Sequence, residues 1–273
     1  MARILAIANQ KGGVGKTTTS VNLSAALAQL GRRVLLVDLD PQGNATTGSG
    51  IDKRGLAGGV YPVLIGQQTV EQAALPAGSG GYAVLAANRE LAGAEIDLVD
   101  LDARERRLAQ ALSVVDRQYD HVVIDCPPSL SLLTLNGLCA ARDVMIPMQC
   151  EYYALEGLSD LVNTLRKVRA NFNPSLEILG LLRVMYDPRI ALAQQVAAQL
   201  EQHFGSRVFS AVIPRNVRLA EAPSHGQPGL IYDPGSRGAQ AYLACARELL
   251  ARLDAEQSAP PKASRPTRKE SST

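Results

Sequence analysis

The chain has 273 residues, 46% of them apolar and 20% charged, with a net charge of +2. That length buries a substantial core without a disulfide or metal staple. A mean hydropathy of −0.01 and the lack of any run of ~18 apolar residues exclude a helical membrane span. The opening Met1-Ala2-Arg3-Ile4-Leu5-Ala6 has no signal-peptide layout. The four cysteines (Cys126, Cys139, Cys150, Cys245) are scattered, with no CxxC and no neighbouring histidine, which fits a reducing cytosol better than a disulfide framework or zinc site. Charge is uneven: Lys262, Arg265, Arg268 and Lys269 outnumber Glu256 and Glu270 in residues 255–273, leaving 24 basic and 24 acidic residues in the body. Bulk charge therefore gives no pull on nucleic acid, and a local patch would have to supply it.

Short apolar runs rich in β-branched residues alternate with helix-length patterns. The expected strands are Ile4–Ala8, Val34–Val37, Tyr82–Leu85, Val122–Ile124, Val144–Pro147, Ile178–Val184 and Val208–Val212. Their apolar residues run continuously, as in parallel strands buried on both faces. The expected helices are Lys16–Leu30 (stopped by Gly31), Ala103–Val115, Leu130–Ala140, Leu155–Ala170, Ala191–Phe204 and Ala239–Leu253. The alternation predicts an α/β fold, a mostly parallel twisted sheet with helices on both faces. Residues 41–81 are glycine-rich and read as a functional loop region with a small helix. The expected organisation is one domain over 1–254 and a disordered Ser/Pro/basic tail over 255–273.

The strongest chemical signal is Lys11-Gly12-Gly13-Val14-Gly15-Lys16-Thr17-Thr18, set between the first strand and the first helix. That context makes it a phosphate-binding loop. Glycines let backbone N–H groups turn inward around phosphate oxygens, and the helix N-terminus adds partial positive charge. Lys16 is placed to neutralise the terminal phosphates, and the Thr17 hydroxyl to ligate Mg²⁺. Val122-Val123-Ile124-Asp125 ends an apolar strand in a carboxylate, which makes Asp125 the Walker-B partner of that metal; otherwise it caps the turn before Pro127-Pro128.

With Lys11 ahead of Gly12-Gly13, the loop resembles the deviant Walker-A motif, KGGxGKT, of the ParA/MinD ATPases. Asp38-Leu39-Asp40-Pro41-Gln42-Gly43-Asn44 resembles the switch segment of the ParA/Soj partition branch. Ile213-Pro214-Arg215-Asn216-Val217-Arg218-Leu219, Glu221-Ala222-Pro223-Ser224-His225-Gly226, Tyr232-Asp233-Pro234 and Ser236-Arg237-Gly238 resemble its C-terminal signatures. The resemblance covers residues 1–254. It implies a P-loop NTPase that binds ATP and Mg²⁺ and forms a sandwich homodimer. Lys11 would reach the partner's phosphates, and Asp40 would orient the attacking water. It also implies an adenine site at Met185, Pro214 and Arg215; for Met185, core packing is the alternative. Asp38, one pleat from the next position, supports Mg²⁺ or the loop, or simply caps it.

The same resemblance implies non-specific double-stranded DNA binding, with Arg189, Arg218 and Arg237 as candidate phosphate contacts. It further implies hydrolysis stimulated by a ParB-type centromere-binding partner, in the cytoplasm on the nucleoid. No helix-turn-helix segment precedes the first strand, so operator reading is not expected. A MinD-like membrane-positioning ATPase is the alternative. It would need a basic amphipathic C-terminal helix, whereas Ala239–Leu253 reads as core-facing and the tail carries no apolar face. An ATP-dependent biosynthetic enzyme or iron–sulfur relative is the other, and no second cysteine is suitably spaced from Cys126.

Overall fold

The structure, a computed structural model, describes residues 1–258. In chain order the strands are β1 (Arg3–Ile7), β2 (Val34–Asp38), β3 (Ala74–Pro76), β4 (Ala83–Leu85), β5 (His121–Asp125), β6 (Asp143–Met148), β7 (Glu177–Tyr186) and β8 (Val208–Pro214). The helices are α1 (Lys16–Gln29), α2 (Asn44–Gly48), α3 (Val60–Leu64), α4 (Val70–Ala73), α5 (Ala94–Asp97), α6 (Arg107–Ser113), α7 (Leu132–Ala140), α8 (Ala154–Asn171), α9 (Ala191–Phe204), α10 (Val217–Glu221), α11 (Gly229–Tyr232) and α12 (Arg237–Ser258).

The strands form one sheet in the order β3-β4-β2-β5-β1-β6-β7-β8. Every neighbouring pair is parallel except β3 with β4. Side chains alternate between two cores, as the two-residue pleat requires. Ala6, Leu35, Val37, Val122, Ile124, Val144 and Ile146 face the layer of α3, α6, α7, α8 and α9. Leu5, Ile7, Val34, Leu36, Val123 and Met145 face α1 and α12. Burial on both faces is why these strands read as unbroken apolar runs.

Helix α1 is wedged between the sheet and α12, so even its polar residues are enclosed. Each finds a partner: Ser24 Oγ donates to Ser20 O at 2.7 Å and Thr19 Oγ1 meets the Tyr242 hydroxyl at 3.1 Å. Asn22 donates to Thr18 O at 2.8 Å and accepts from Gly229 N at 2.7 Å. Unpaired, each buried polar group would cost about 1–3 kcal/mol.

Four expectations are corrected. The sheet gains an antiparallel edge strand, β3, too short to show a period. Residues 41–81 hold α2, α3 and α4 rather than one small helix. The helix expected over Ala103–Val115 begins only at Arg107. Ala103 sits at φ 51°, and Asn136 on α7 takes Arg104 O at 2.8 Å and Leu108 N at 3.1 Å. Tertiary hydrogen bonds thus replace a first helical turn. Finally, α12 continues past Leu253 to Ser258, because Leu253 is buried and Glu256 pairs with Arg3 at the base of β1. The expected tail is therefore helical over 255–258; the rest lies outside the described residues. Among the described residues no helix is long and apolar enough to cross a membrane.

Candidate nucleotide site

Parallel strands bring their C-terminal ends to one rim, and the loops that leave it form the site. Strands β1, β5 and β2 lie side by side there, with Asp125 opposite both Ile7 and Asp38 in register. The phosphate-binding loop leaves β1 and closes onto α1. Gly13 and Gly15 adopt φ 73° and 75°, the left-handed region where a side chain is strained. Gly15 is the N-cap of α1 and has no side-chain cap of its own. Gly12 needs no such conformation, and a Cβ there would meet no protein atom within 4 Å. Val14 is buried and pins the loop to the body.

Lys16 is buried, with 7% of its surface exposed, and its Nζ donates to Lys11 O at 3.0 Å. Burial pushes its ammonium below the usual lysine range, against the pull of Asp125, Cys126 and Asp40. Asp125 is enclosed: Ser20 Oγ donates to Oδ1 at 2.9 Å, while Oδ2 has no hydrogen-bond partner. Burial, and then the neighbouring charge of Asp38, push this carboxyl above the ordinary range, opposed by the Thr17 and Ser20 hydroxyls. A buried carboxylate oxygen without a partner is a costly arrangement, relieved either by a proton or by a bound cation. Thr17, Lys16 and Asp125 therefore meet at one place, while Thr18 spends its carbonyl on Asn22.

Asp38 is also enclosed, but it is fully engaged. Its Oδ2 accepts from Thr46 N and Oγ1, both at 2.8 Å, and its Oδ1 from Asp40 N at 3.1 Å. Thr46 Oγ1 in turn accepts from Ala87 N at 2.9 Å. Of the readings open for Asp38, the loop-supporting one matches these contacts. Asp40 is half-buried at the turn, its Oδ1 accepting from Gln42 N at 2.9 Å. Gly43, at φ 62°, lies so close to the end of β4 that a Cβ would stand 2.5 Å from Ala87 O. Asp38 and Gly43 together fix the path of the segment that carries Asp40.

Lys11 is held within its own chain: its Nζ pairs with Glu151 Oε2 at 2.7 Å, both side chains about half exposed (47% and 51%). Gln149 lies on the same loop after β6, and its Nε2 reaches Gly13 O and Met185 Sδ, each at 3.2 Å. Met185, at φ 49°, is half-buried against the α1 core, beside Gly15 and Val184. Pro214 lies next to Tyr186 in register at the ends of β8 and β7, with exposed Arg215 following. The adenine candidates thus share the rim, though Met185 packs inward against the loop.

Arg189 forks onto Asp187 at 2.6 and 2.9 Å, and Arg218 pairs with Glu221 at 2.9 Å and Asp233 at 3.3 Å. Arg237 opens α12. These three lie on separate elements, and two are already ion-paired. Sequence reading missed Ser20, Thr46, Gln149 and Glu151. Ser20 stands one helical turn after Lys16 on the same face. Gln149 and Glu151 follow the end of a central parallel strand, a position that draws attention by itself.

A strand, a glycine loop, a helix start and a buried lysine in this arrangement define a P-loop nucleotide-binding protein. The family described as AAA domain matches residues 2–178. The sporulation initiation inhibitor protein Soj of Bacillus subtilis is 54% identical over 251 residues, covering 92% of this chain and 99% of that protein. The chromosome partitioning protein ParA of Caulobacter vibrioides is 51% identical over 252 residues, covering 92% and 94%. Among solved structures, cobyrinic acid a,c-diamide synthase from Mycobacterium smegmatis with bound ADP and magnesium is 41% identical, with a TM-score of 0.83 over 95% of this chain and 98% of that one. The chain belongs to the ParA/Soj family.

Proposed function

We propose that this is a ParA/Soj-type ATPase of DNA segregation. Its ATP-bound form pairs with a second copy, holds duplex DNA without sequence preference, and releases it when a ParB-type partner stimulates hydrolysis, in the cytoplasm on the nucleoid. The names of the relatives support the partition role, and one relative in Thermus thermophilus, 53% identical over 251 residues, is itself named a chromosome-partitioning ATPase. The observation that carries the chemistry is the unpartnered Asp125 Oδ2 beside Thr17 and the buried Lys16.

ATP with Mg²⁺ fits these residues. Among the described residues no group of three His, Cys, Asp or Glu side chains could hold a metal by itself. Mg²⁺ suits such a site because it takes most of its ligands from phosphate and water. When bound it spreads the charge that builds on the transferred phosphoryl group. Gly12, Gly13 and Gly15 give the phosphates a backbone N–H cradle, and Lys16 neutralises them. Thr17 and Asp125 are the residues that would hold the metal. Asp40 orients the attacking water, set in place by Asp38 through Asp40 N and Thr46. Lys11 leaves Glu151 and stabilises the partner's phosphates, so hydrolysis waits for pairing. Pro214 and Arg215, with Met185 behind them, flank the base. Arg189, Arg218 and Arg237 contact DNA phosphates after giving up exposed local pairs, each worth less than about 1 kcal/mol.

An ATP-dependent biosynthetic enzyme is the second reading, favoured by the synthase name of the 41% identical structure. Against it, the identity to the partition proteins Soj and ParA, 54% and 51%, exceeds the 41% to that synthase, and burial pushes the thiols of Cys126, Cys139, Cys150 and Cys245 upward.

Asp40→Ala tests the assignment. It should keep nucleotide affinity, lower turnover by about 10²-fold, and accumulate as a DNA-bound dimer. Wild-type turnover in that variant would remove Asp40 from the reaction.

A further inference from the structure

Strand β6 is buried along its whole length, so the residues that follow it stand on a rigid base at the nucleotide rim. Two side chains tie that base to the phosphate-binding loop. Asn9 Nδ2 donates to Pro147 O at 2.9 Å, and Asn9 Oδ1 accepts from Lys11 N at 3.0 Å. Gln149 Nε2 donates to Gly13 O and to Met185 Sδ, both at 3.2 Å. A carboxamide nitrogen carries two hydrogens, one for each acceptor. Asn9 therefore fixes the start of the loop, and Gln149 its middle.

The bond to Gly13 O decides where the next amide points. In a trans peptide the C=O and the N–H lie on opposite sides of the chain, and no peptide bond among the described residues is cis. With Gly13 O turned towards Gln149, the Val14 N–H of the same peptide is turned the other way. The N–H groups of Gly13, Val14 and Gly15 make no hydrogen bond among the described residues, although Val14 is buried. A phosphate oxygen would satisfy them. A carbonyl turned into the same cradle would repel that oxygen. Gly13, at φ 73° and without a side chain, places little restriction on the peptide that follows it, so a contact from outside the loop has to hold it.

The second bond reaches the other end of the site. Among the described residues only Ala103 and Met185 hold the left-handed region without being glycine. Such a conformation costs about 1–3 kcal/mol and persists only where its neighbours hold it. Gln149 is one such neighbour of Met185, and the Met185 methyl also lies within 3.9 Å of where a Cβ on Gly15 would stand. We infer that Gln149 is a positioning residue for the nucleotide. It holds the Gly13 carbonyl out of the phosphate cradle, aims the Val14 N–H into it, and ties the loop to Met185 at the base end. One amide thus sets the spacing between the phosphate and base halves of the site. Gln149 touches no reacting atom and acts on binding through the loop. The inference rests on the ATP-binding reading above and adds to it a residue from outside the loop motif.

The test is nucleotide affinity of the full chain with Mg²⁺, read with ribose-labelled fluorescent ADP and a ribose-labelled non-hydrolysable ATP analogue. Gln149→Met keeps the volume of the side chain and removes its donor. Gln149→Asn keeps the amide but is one carbon too short for Gly13 O. Both should weaken each nucleotide about 3- to 10-fold, the worth of one neutral hydrogen bond, with the melting temperature of the nucleotide-free chain unchanged. In turnover, KM should rise by the same factor while kcat changes less than about twofold. Lys16→Ala, measured alongside, should lose nucleotide altogether. Wild-type affinity in both Gln149 variants, beside a Lys16→Ala that binds none, would overturn the role of Gln149 and leave the ATP-binding reading intact. A fall in kcat with KM unmoved would overturn it as well. So would a lowered melting temperature without nucleotide, which would make Gln149 a packing residue. A wild-type chain that binds neither nucleotide would overturn both readings.

Discussion

At the residue scale, two lysines five positions apart in one loop live in different surroundings. Lys16 is buried and anchored to Lys11 O, close to Asp125 and Asp40. Lys11 reaches outward and is held by Glu151. Because both partners of that second pair are about half exposed, it is worth less than about 1 kcal/mol, and Lys11 can exchange it for a phosphate at little cost. Glu151→Gln should therefore tighten nucleotide-dependent self-association by a small factor, about two- to threefold, with nucleotide affinity of the isolated protomer unchanged. Sedimentation equilibrium reads this directly, and weaker association would mean that Glu151 works across the pair rather than within the chain. Asp125 and Asp38 make the complementary contrast. Both are enclosed at the ends of adjacent strands, yet Asp38 is saturated by Thr46 and Asp40 while Asp125 keeps one oxygen unpartnered. In the proposed function the free oxygen faces the metal and the saturated carboxylate supports the loop.

At the element scale, α12 secures the β8 edge of the sheet. Glu248 accepts from Ser210 N at 2.9 Å and Ala211 N at 2.8 Å, two donors that an edge strand would otherwise leave unpaired. Arg252 pairs with Glu248, donates to Val208 O at 2.8 Å and lies 4.0 Å over the Phe209 ring. Burial pushes the Glu248 carboxyl up, but the two amides and Arg252 outweigh it and hold it below the usual range. A depressed folded pKa contributes stability above the unfolded value, near 4, which is lost as pH falls through the folded one. Glu248→Gln should thus cost about 1–2 kcal/mol at neutral pH, discounted for partial exposure, and progressively less as pH falls below about 4. Urea unfolding of the two proteins at several pH values checks it; a difference that persisted unchanged into acid would assign the effect to packing. Elements of this kind are where sequence reading succeeds and where it stops. Strands β1, β2, β5 and β6 are legible because burial on both faces leaves an unbroken apolar run. The three residues of β3 carry no period, and the start of α6 is decided by Asn136 on another helix. The phosphate-binding loop is legible because its chemistry is local, with glycine, lysine and threonine at fixed spacing. Glu151, Gln149 and Thr46 are not, because they join the site only through the order of the strands.

At the scale of the whole molecule, the parallel sheet gathers the ends of its strands, and the loops that leave them, at one rim. That rim carries the glycine loop, Asp125, the Asp40 segment and Lys11. Nucleotide state can govern a distant surface only if ATP binds one assembly state better than another. In the proposed function, pairing through the nucleotide rim supplies that difference, with Lys11 released from Glu151 to meet a phosphate only in the pair. The most direct measurement is sedimentation velocity of the full chain with Mg²⁺ and either ADP or a non-hydrolysable ATP analogue. A protomer-sized species with ADP and a species of twice that mass with the analogue is the expected result. A single protomer-sized species in both would contradict the account.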